Sequence, residues 1–230
     1  MDIDGAIEML EEVFGSFDAV DGIPLANLHD ATRQLTVALP EALETLYRRT
    51  GRSGRLHHGP GHLVAPSDLK VASGHLLIYI ENQSASVFGI PIGEHASDPP
   101  VDISFEPDLA GATWERAFER FSHFVAVQGA WQAIRGGVQA SALVTATTIP
   151  GIAGDYEHRE KKFAEASARV ARERVAGGGS TIWTCSRCIL AVENGVCFGV
   201  GATDEDTFFA VSAELGMSLG EWSYASVRDE

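Results

Sequence analysis

This 230-residue chain has little of what ties a protein to a membrane, a secretory route or a disulfide framework. It has three cysteines, whereas a disulfide-stapled fold uses an even and denser set. No apolar run approaches the ~18 residues of a membrane-spanning helix. The opening MDIDGAIEMLEEVF carries acids where a secretory leader needs a basic segment. Bases are scarce too: 17 Lys and Arg against 32 Asp and Glu leave a net charge of −15. Such a field repels a phosphate backbone. These absences predict a cytoplasmic protein with free thiols and with neither membrane nor nucleic acid as partner.

Catalytic patterns are missing as well. There is no nucleophile elbow, zinc-protease helix motif or dinucleotide fingerprint. Gly177 to Ser180 (GGGS) follows a predicted helix and precedes a predicted strand, the reverse of a phosphate-cradling loop, and reads as a linker. His57, His58 and His62 share a glycine-rich loop with no acid or thiol beside them, so metal is not expected there. Cys185-Ser186-Arg187-Cys188 is half of a zinc site without the other half. A two-residue turn at Asn194-Gly195 would set Cys197 opposite Val192, leaving Cys188 about 13 Å further along the strand, too far for a disulfide. The cysteines are therefore read as strand thiols, and no metal or cofactor is expected.

What is present is a chain that should fold: 45% of its residues are hydrophobic and 21% charged, ordinary for a globular protein. Ile7, Leu10, Phe14 and Phe17 recur at helical steps over residues 4–17. A short helix is predicted over 27–35, and a third from Pro40 to Arg49, with Leu43, Leu46 and Tyr47 on one face. The period then changes. His75–Ile80 and Ser86–Ile92 read as strands joined through Glu81-Asn82-Gln83, and Val101–Phe105 as a third. Apolar positions from Trp114 to Arg135 predict a long helix, and Tyr156, Phe163 and Val170 mark another over 155–175. Ile182–Val192 and Val196–Gly201 form a predicted hairpin, followed by a helix from a Thr203 cap to about Leu215.

The order of these segments resembles the SUKH superfamily, which includes yeast cell-wall-synthesis regulators and many bacterial immunity proteins of polymorphic toxin systems. LPEALETLYRRTG (Leu39–Gly51) is similar to that family's first conserved helix, which follows a leucine-proline pair. Pro66 with Asp68 and Leu69 resembles the loop beyond it. HLLIYIENQSASVFGIPI (His75–Ile92) resembles the central hairpin, with Phe88-Gly89 as its aromatic-glycine pair, where many relatives have tryptophan in place of Phe88. Asp98-Pro99-Pro100-Val101, the stretch from Trp114 to Phe124, and a last helix ending near Trp222 complete the likeness over residues 25–222.

The resemblance implies an α+β fold in which a mostly antiparallel central sheet is flanked by helices. It implies a helical extension at 1–24, a single SUKH-like domain at 25–222 and a tail at 223–230. It further implies a non-enzymatic protein-binding module, foremost an immunity protein that neutralises a toxin domain. Net acidity suits a basic nuclease as that toxin. A housekeeping scaffold is the alternative reading, and a metal-dependent enzyme using the histidine loop or the cysteine pair a third. Glu81, Asn82, Gln83 and Asp98 are the expected partner contacts. Trp114, on an apolar helical face, is read as core.

Overall fold

Proline sets the helix starts near the amino end: Pro24 (φ −56°) and Pro40 (φ −59°) immediately precede α2 (Leu25–Ala31) and α3 (Glu41–Thr50). Before them α1 spans Ile3–Phe14. The computed structural model describes residues 1–56, 61–81, 86–106, 109, 111–145, 153–193, 195–217 and 224–227. Contacts divide the chain into two compact units, residues 1–8 with 16–125 and residues 9–15 with 126–230. Among the described residues the fold is α+β, with six α-helices and two antiparallel sheets in place of the single central sheet expected. No helix among them is long and apolar enough to cross a membrane.

The first unit is built on strands β1 (Gly61–Leu63), β2 (Val71–Ala72), β3 (His75–Glu81), β4 (Val87–Pro91), β5 (Val101–Ser104) and β6 (Glu115–Phe118). Their order is β1-β3-β4-β5-β6, with β2 also on β3. Directly opposed residues of antiparallel strands share a face. Phe88 and Ile103 therefore lie on one face, and Leu77, Gly89, Asp102 and Arg116 on the other. The core is aromatic. The Phe124 ring, on α4 (Phe121–Gln132), is 5.2–5.9 Å from those of Tyr79, Phe88, Phe118 and Phe121. Two of these contacts are edge-on, the favoured geometry for aromatic quadrupoles.

The long helix expected from Trp114 starts seven residues later, and residues 115–118 are strand. Apolar residues at 114, 117, 118 and 121 fit either period; pairing of Asp102 with Arg116 and Ile103 with Glu115 decides for the strand.

The second unit carries β7 (Ala140–Thr145), β8 (Glu173–Gly177), β9 (Ser180–Cys185), β10 (Cys188–Glu193), β11 (Cys197–Ala202) and β12 (Tyr224–Val227), in the order β12-β7-β11-β10-β9-β8. Helices α5 (Ala153–Val170) and α6 (Glu205–Glu214) cover one face, with Tyr156, Phe163, Phe208, Val211 and Leu215 packed on Trp183, Leu190, Phe198 and Val200. Against the other face runs the π-helical turn Ala133–Gly137 that ends α4. A Cβ on Gly199 would lie 2.6 Å from the Ala142 carbonyl and 2.7 Å from Ile134; one on Gly201 would lie 3.1 Å from the Ala133 backbone. Only glycine lets the helix end come this close.

Four features of this unit differ from expectation. The run Ile182–Val192 is two strands, β9 and β10, folded back at Ser186-Arg187. The helix expected to 175 stops at Val170, and its last residues pair as β8. Glu193 opposes Cys197, so the β10–β11 loop holds three residues instead of two. Cys185 and Cys188, expected as thiols, close the β9–β10 hairpin with a disulfide, their Cα atoms 5.3 Å apart; Cys197 is a buried thiol. Asn194 and Trp222 lie outside the described residues.

Candidate functional site

Two of the expected contact residues serve the local fold. Glu81 ends β3, where its carboxylate accepts a hydrogen bond from Ser86 Oγ at 2.6 Å and its amide donates to the Ser86 carbonyl at 3.0 Å, closing the β3–β4 hairpin. Asp98 accepts from the amide and hydroxyl of Ser122, at 2.9 and 2.7 Å, in the first turn of α4. A carboxylate there satisfies an orphan donor and meets the positive end of the helix dipole. The two are thus set at separate places, and Asn82 and Gln83 lie outside the described residues.

A different constellation gathers on the Gly89 face of the first unit's sheet. His75, at the start of β3, stacks on Trp114, with ring centroids 4.1 Å apart and planes 15° from parallel. Glycine at position 89 makes room: a Cβ there would stand 2.8 Å from His75 Cβ and 3.1 Å from the indole. His75 Nε2 lies 3.0 Å from Asp102 Oδ2, and Asp102 Oδ1 accepts from Arg116 Nε at 2.6 Å. Arg116 Nη1 lies 3.5 Å from Glu119. The hydrogen bond to Asp102 raises the pKa of the Arg116 guanidinium, fixing its charge.

His75 Nδ1 is 3.0 Å from the Ser73 carbonyl. Both ring nitrogens thus face oxygen acceptors, and both contacts are hydrogen bonds only when the ring carries both its protons. Ser73 holds a positive φ of 44°. Its hydroxyl donates to the Leu109 carbonyl and accepts from the Gly111 amide, tethering the loop that leads to Trp114. The indole Nε1 is buried and has no partner among the described residues.

Beside this cluster, on the same sheet, is an open groove of about 400 Å³. Leu77 and Ile80 of β3 line it together with Val64 and Ala65, as do the polar His62, Asp68 and Lys70. Leu77 is paired across from Gly89, under Trp114, which makes the groove and the aromatic stack neighbours. Of the histidines expected together in one loop, His62 is on β1; His57 and His58 lie outside the described residues. Among the described residues no three His, Cys, Asp or Glu side chains are arranged to hold a metal ion.

Neither the pairing of His75 with Asp102 nor the role of Trp114 was drawn from sequence. Trp114 belongs to the outer stack, not to a helical core. The available signal was parity: an acid flanked by Val101 and Ile103 in a strand, opposite a Trp-x-Arg run, places acid, base and indole on one face.

No family model, no curated protein and no solved structure matches this chain.

Proposed function

We propose that the chain is a non-enzymatic protein-binding module of SUKH type, and that it acts as an immunity protein by occupying a toxin domain. The observation that carries this reading is the Trp114–His75–Asp102–Arg116 cluster beside the groove. Both oxygens of Asp102 and both nitrogens of His75 make contacts within the cluster, which fixes the two side chains in place. What they do is hold an indole and a guanidinium rigidly at a partly open surface. Tryptophan and arginine, ordered before the partner arrives, are the side chains that dominate protein interfaces.

Charge supports the same partner class. The first unit holds seventeen acids against eight bases. An acidic inhibitor is drawn by long-range steering to the cationic substrate groove of a nuclease. The motif order from Leu39 to Phe124, which resembles the SUKH pattern, falls within this unit.

The test is co-expression with toxin domains, basic nucleases first, scored by growth rescue and by co-elution on gel filtration. Rescue and a stable complex are expected, with Trp114→Ala weakening the complex about 30-fold or more. Failure of both rescue and complex formation sinks the immunity reading. Capture of endogenous cellular proteins through the same face would favour the housekeeping scaffold instead.

A further inference from the structure

We propose that Cys185 and Cys188 form a reversible thiol–disulfide site whose oxidation state sets the hold on the first turn of α6. The pair flanks the two-residue turn Ser186-Arg187, and the two cysteines are direct partners in the β9–β10 ladder. A disulfide here closes a four-residue loop. Cross-link stabilisation grows with loop length, so this bond adds little to a hairpin already held by a full ladder on both sides. Its use lies elsewhere.

Geometry accommodates both oxidation states. Cys185 Sγ lies 3.6 Å from the Cys188 carbonyl, which gives the reduced thiol an acceptor within the hairpin. Cys185 is 7% exposed and Cys188 fully buried, so an incoming thiolate reaches Cys185 first. In that step a small dithiol attacks Cys185 Sγ, the intramolecular S–S bond breaks, and Cys188 leaves as a thiolate and takes a proton. The second thiol of the dithiol then displaces Cys185. Two electrons and two protons pass to the protein, and the reductant leaves as its own disulfide. A small oxidised disulfide reverses the sequence.

The turn is wired to α6. Arg187 sits at φ 63°, a left-handed conformation that a non-glycine residue holds only where its surroundings fix it. Its guanidinium Nη2 is 2.6 Å from Asp204 Oδ2, and its carbonyl accepts from the Thr203 amide at 3.0 Å. Asp204 is the N-cap of α6, with Oδ1 accepting from the Thr207 amide at 2.8 Å. Opening the disulfide lets Arg187 leave the left-handed region, which frees Asp204 from its cation and loosens the cap.

The experiment uses the full chain, purified in air, and follows two readouts. Intact mass after iodoacetamide treatment reports the disulfide; amide exchange by NMR reports the Thr207 hydrogen bond. The air-purified protein is expected to resist labelling at both positions and to be opened by dithiothreitol without unfolding. Oxidised glutathione should close it again. On reduction, Thr207 exchange should rise about fivefold or more while Phe163, inside α5, is unchanged. In Arg187→Gly, which keeps the turn but loses the cation, Thr207 exchange should be equally fast in both oxidation states. The proposal is overturned if both cysteines label in the air-purified protein or if the bond opens only on global unfolding. It is equally overturned if Thr207 exchange does not respond to reduction.

Discussion

The two sheets are alike in strand number and antiparallel pairing but differ in what lies on their faces. The second unit's sheet has α5 and α6 on one face and the end of α4 on the other, and between them it presents Ala, Gly, Val, Leu and Phe. The first unit's sheet buries an aromatic cluster on one face and carries a histidine, an aspartate and an arginine on the other. A sheet packed on both sides has no surface left to offer. A sheet with one polar face can hold side chains in fixed positions at a partly open surface, and that is where the candidate site lies.

The comparison is broken most forcefully at the cores. Phe124→Ala removes the ring around which four others are arranged, and Phe198→Ala removes the ring against which Tyr156 and Phe163 pack, at 5.7 and 4.8 Å. Each should cost about 3–5 kcal/mol in urea titration. Amide exchange should place the first loss in β3–β5 and the second in β9–β11. Equal loosening of both sheets by either variant would show that the two units do not unfold as separate entities.

Next come the glycines, which sharpen the contrast in packing. Gly199→Val puts side-chain atoms into the Ala142 backbone and Ile134, with no flexible neighbour to give way on the backbone side, and should cost about 3 kcal/mol. Gly89→Val pushes on His75 and Trp114, side chains at a partly open face. Its cost should be about 1–2 kcal/mol in thermal unfolding, with a larger relative loss in binding. If Gly89→Val destabilises as much as Gly199→Val, the Gly89 face is packed as tightly as the closed one and the distinction fails.

A smaller effect tests the polar cluster itself. Asp102→Asn keeps the shape and removes the charge that both His75 and Arg116 face. Arg116 is 40% exposed, so solvent screens much of its interaction and the stability loss should be about 1 kcal/mol. The informative readout is the fluorescence of Trp114, which should shift as His75 loses its second tether. An unchanged emission spectrum would mean the stack does not depend on the carboxylate.

Much of the fold was legible because its elements carry strong local chemistry. The helix from Pro40, the hairpin around residues 81–87 and the stripe of Tyr156, Phe163 and Val170 each combine a clear period with a start or stop. The failures share a cause. Trp114–Phe118 and Ile182–Val192 are runs whose type is set by pairing, with Val101–Ile103 in one case and through the fold-back at Ser186-Arg187 in the other. β7 escaped notice for the same reason: Ala140–Thr145 is small, uncharged and without turn residues, and becomes a strand by pairing with β11. Site residues were harder still. Glu81 and Asp98 stand out in sequence because turns and caps have recognisable chemistry, and they prove to make turn and cap contacts. His75, Asp102, Trp114 and Arg116 carry no local pattern and meet only through the register of β3, β4, β5 and β6.

An effect of similar size concerns the cap that closes α6 in the second unit, and it has a definite sign with pH. The Thr207 amide, followed by the Thr203 hydroxyl, holds the Asp204 carboxyl below its ordinary value of 3.8. A group whose folded value is depressed contributes its stability above the unfolded value and loses it as pH falls through the folded one. The cap should therefore be intact at neutral pH and weaken only below about pH 4. Asp204→Ala should cost about 1 kcal/mol at pH 7 and less at pH 2, because protonation of the wild-type carboxyl weakens the cap as pH falls. Chemical denaturation at the two pH values checks this, and an equal loss at both would mean that Asp204 acts through packing instead of charge.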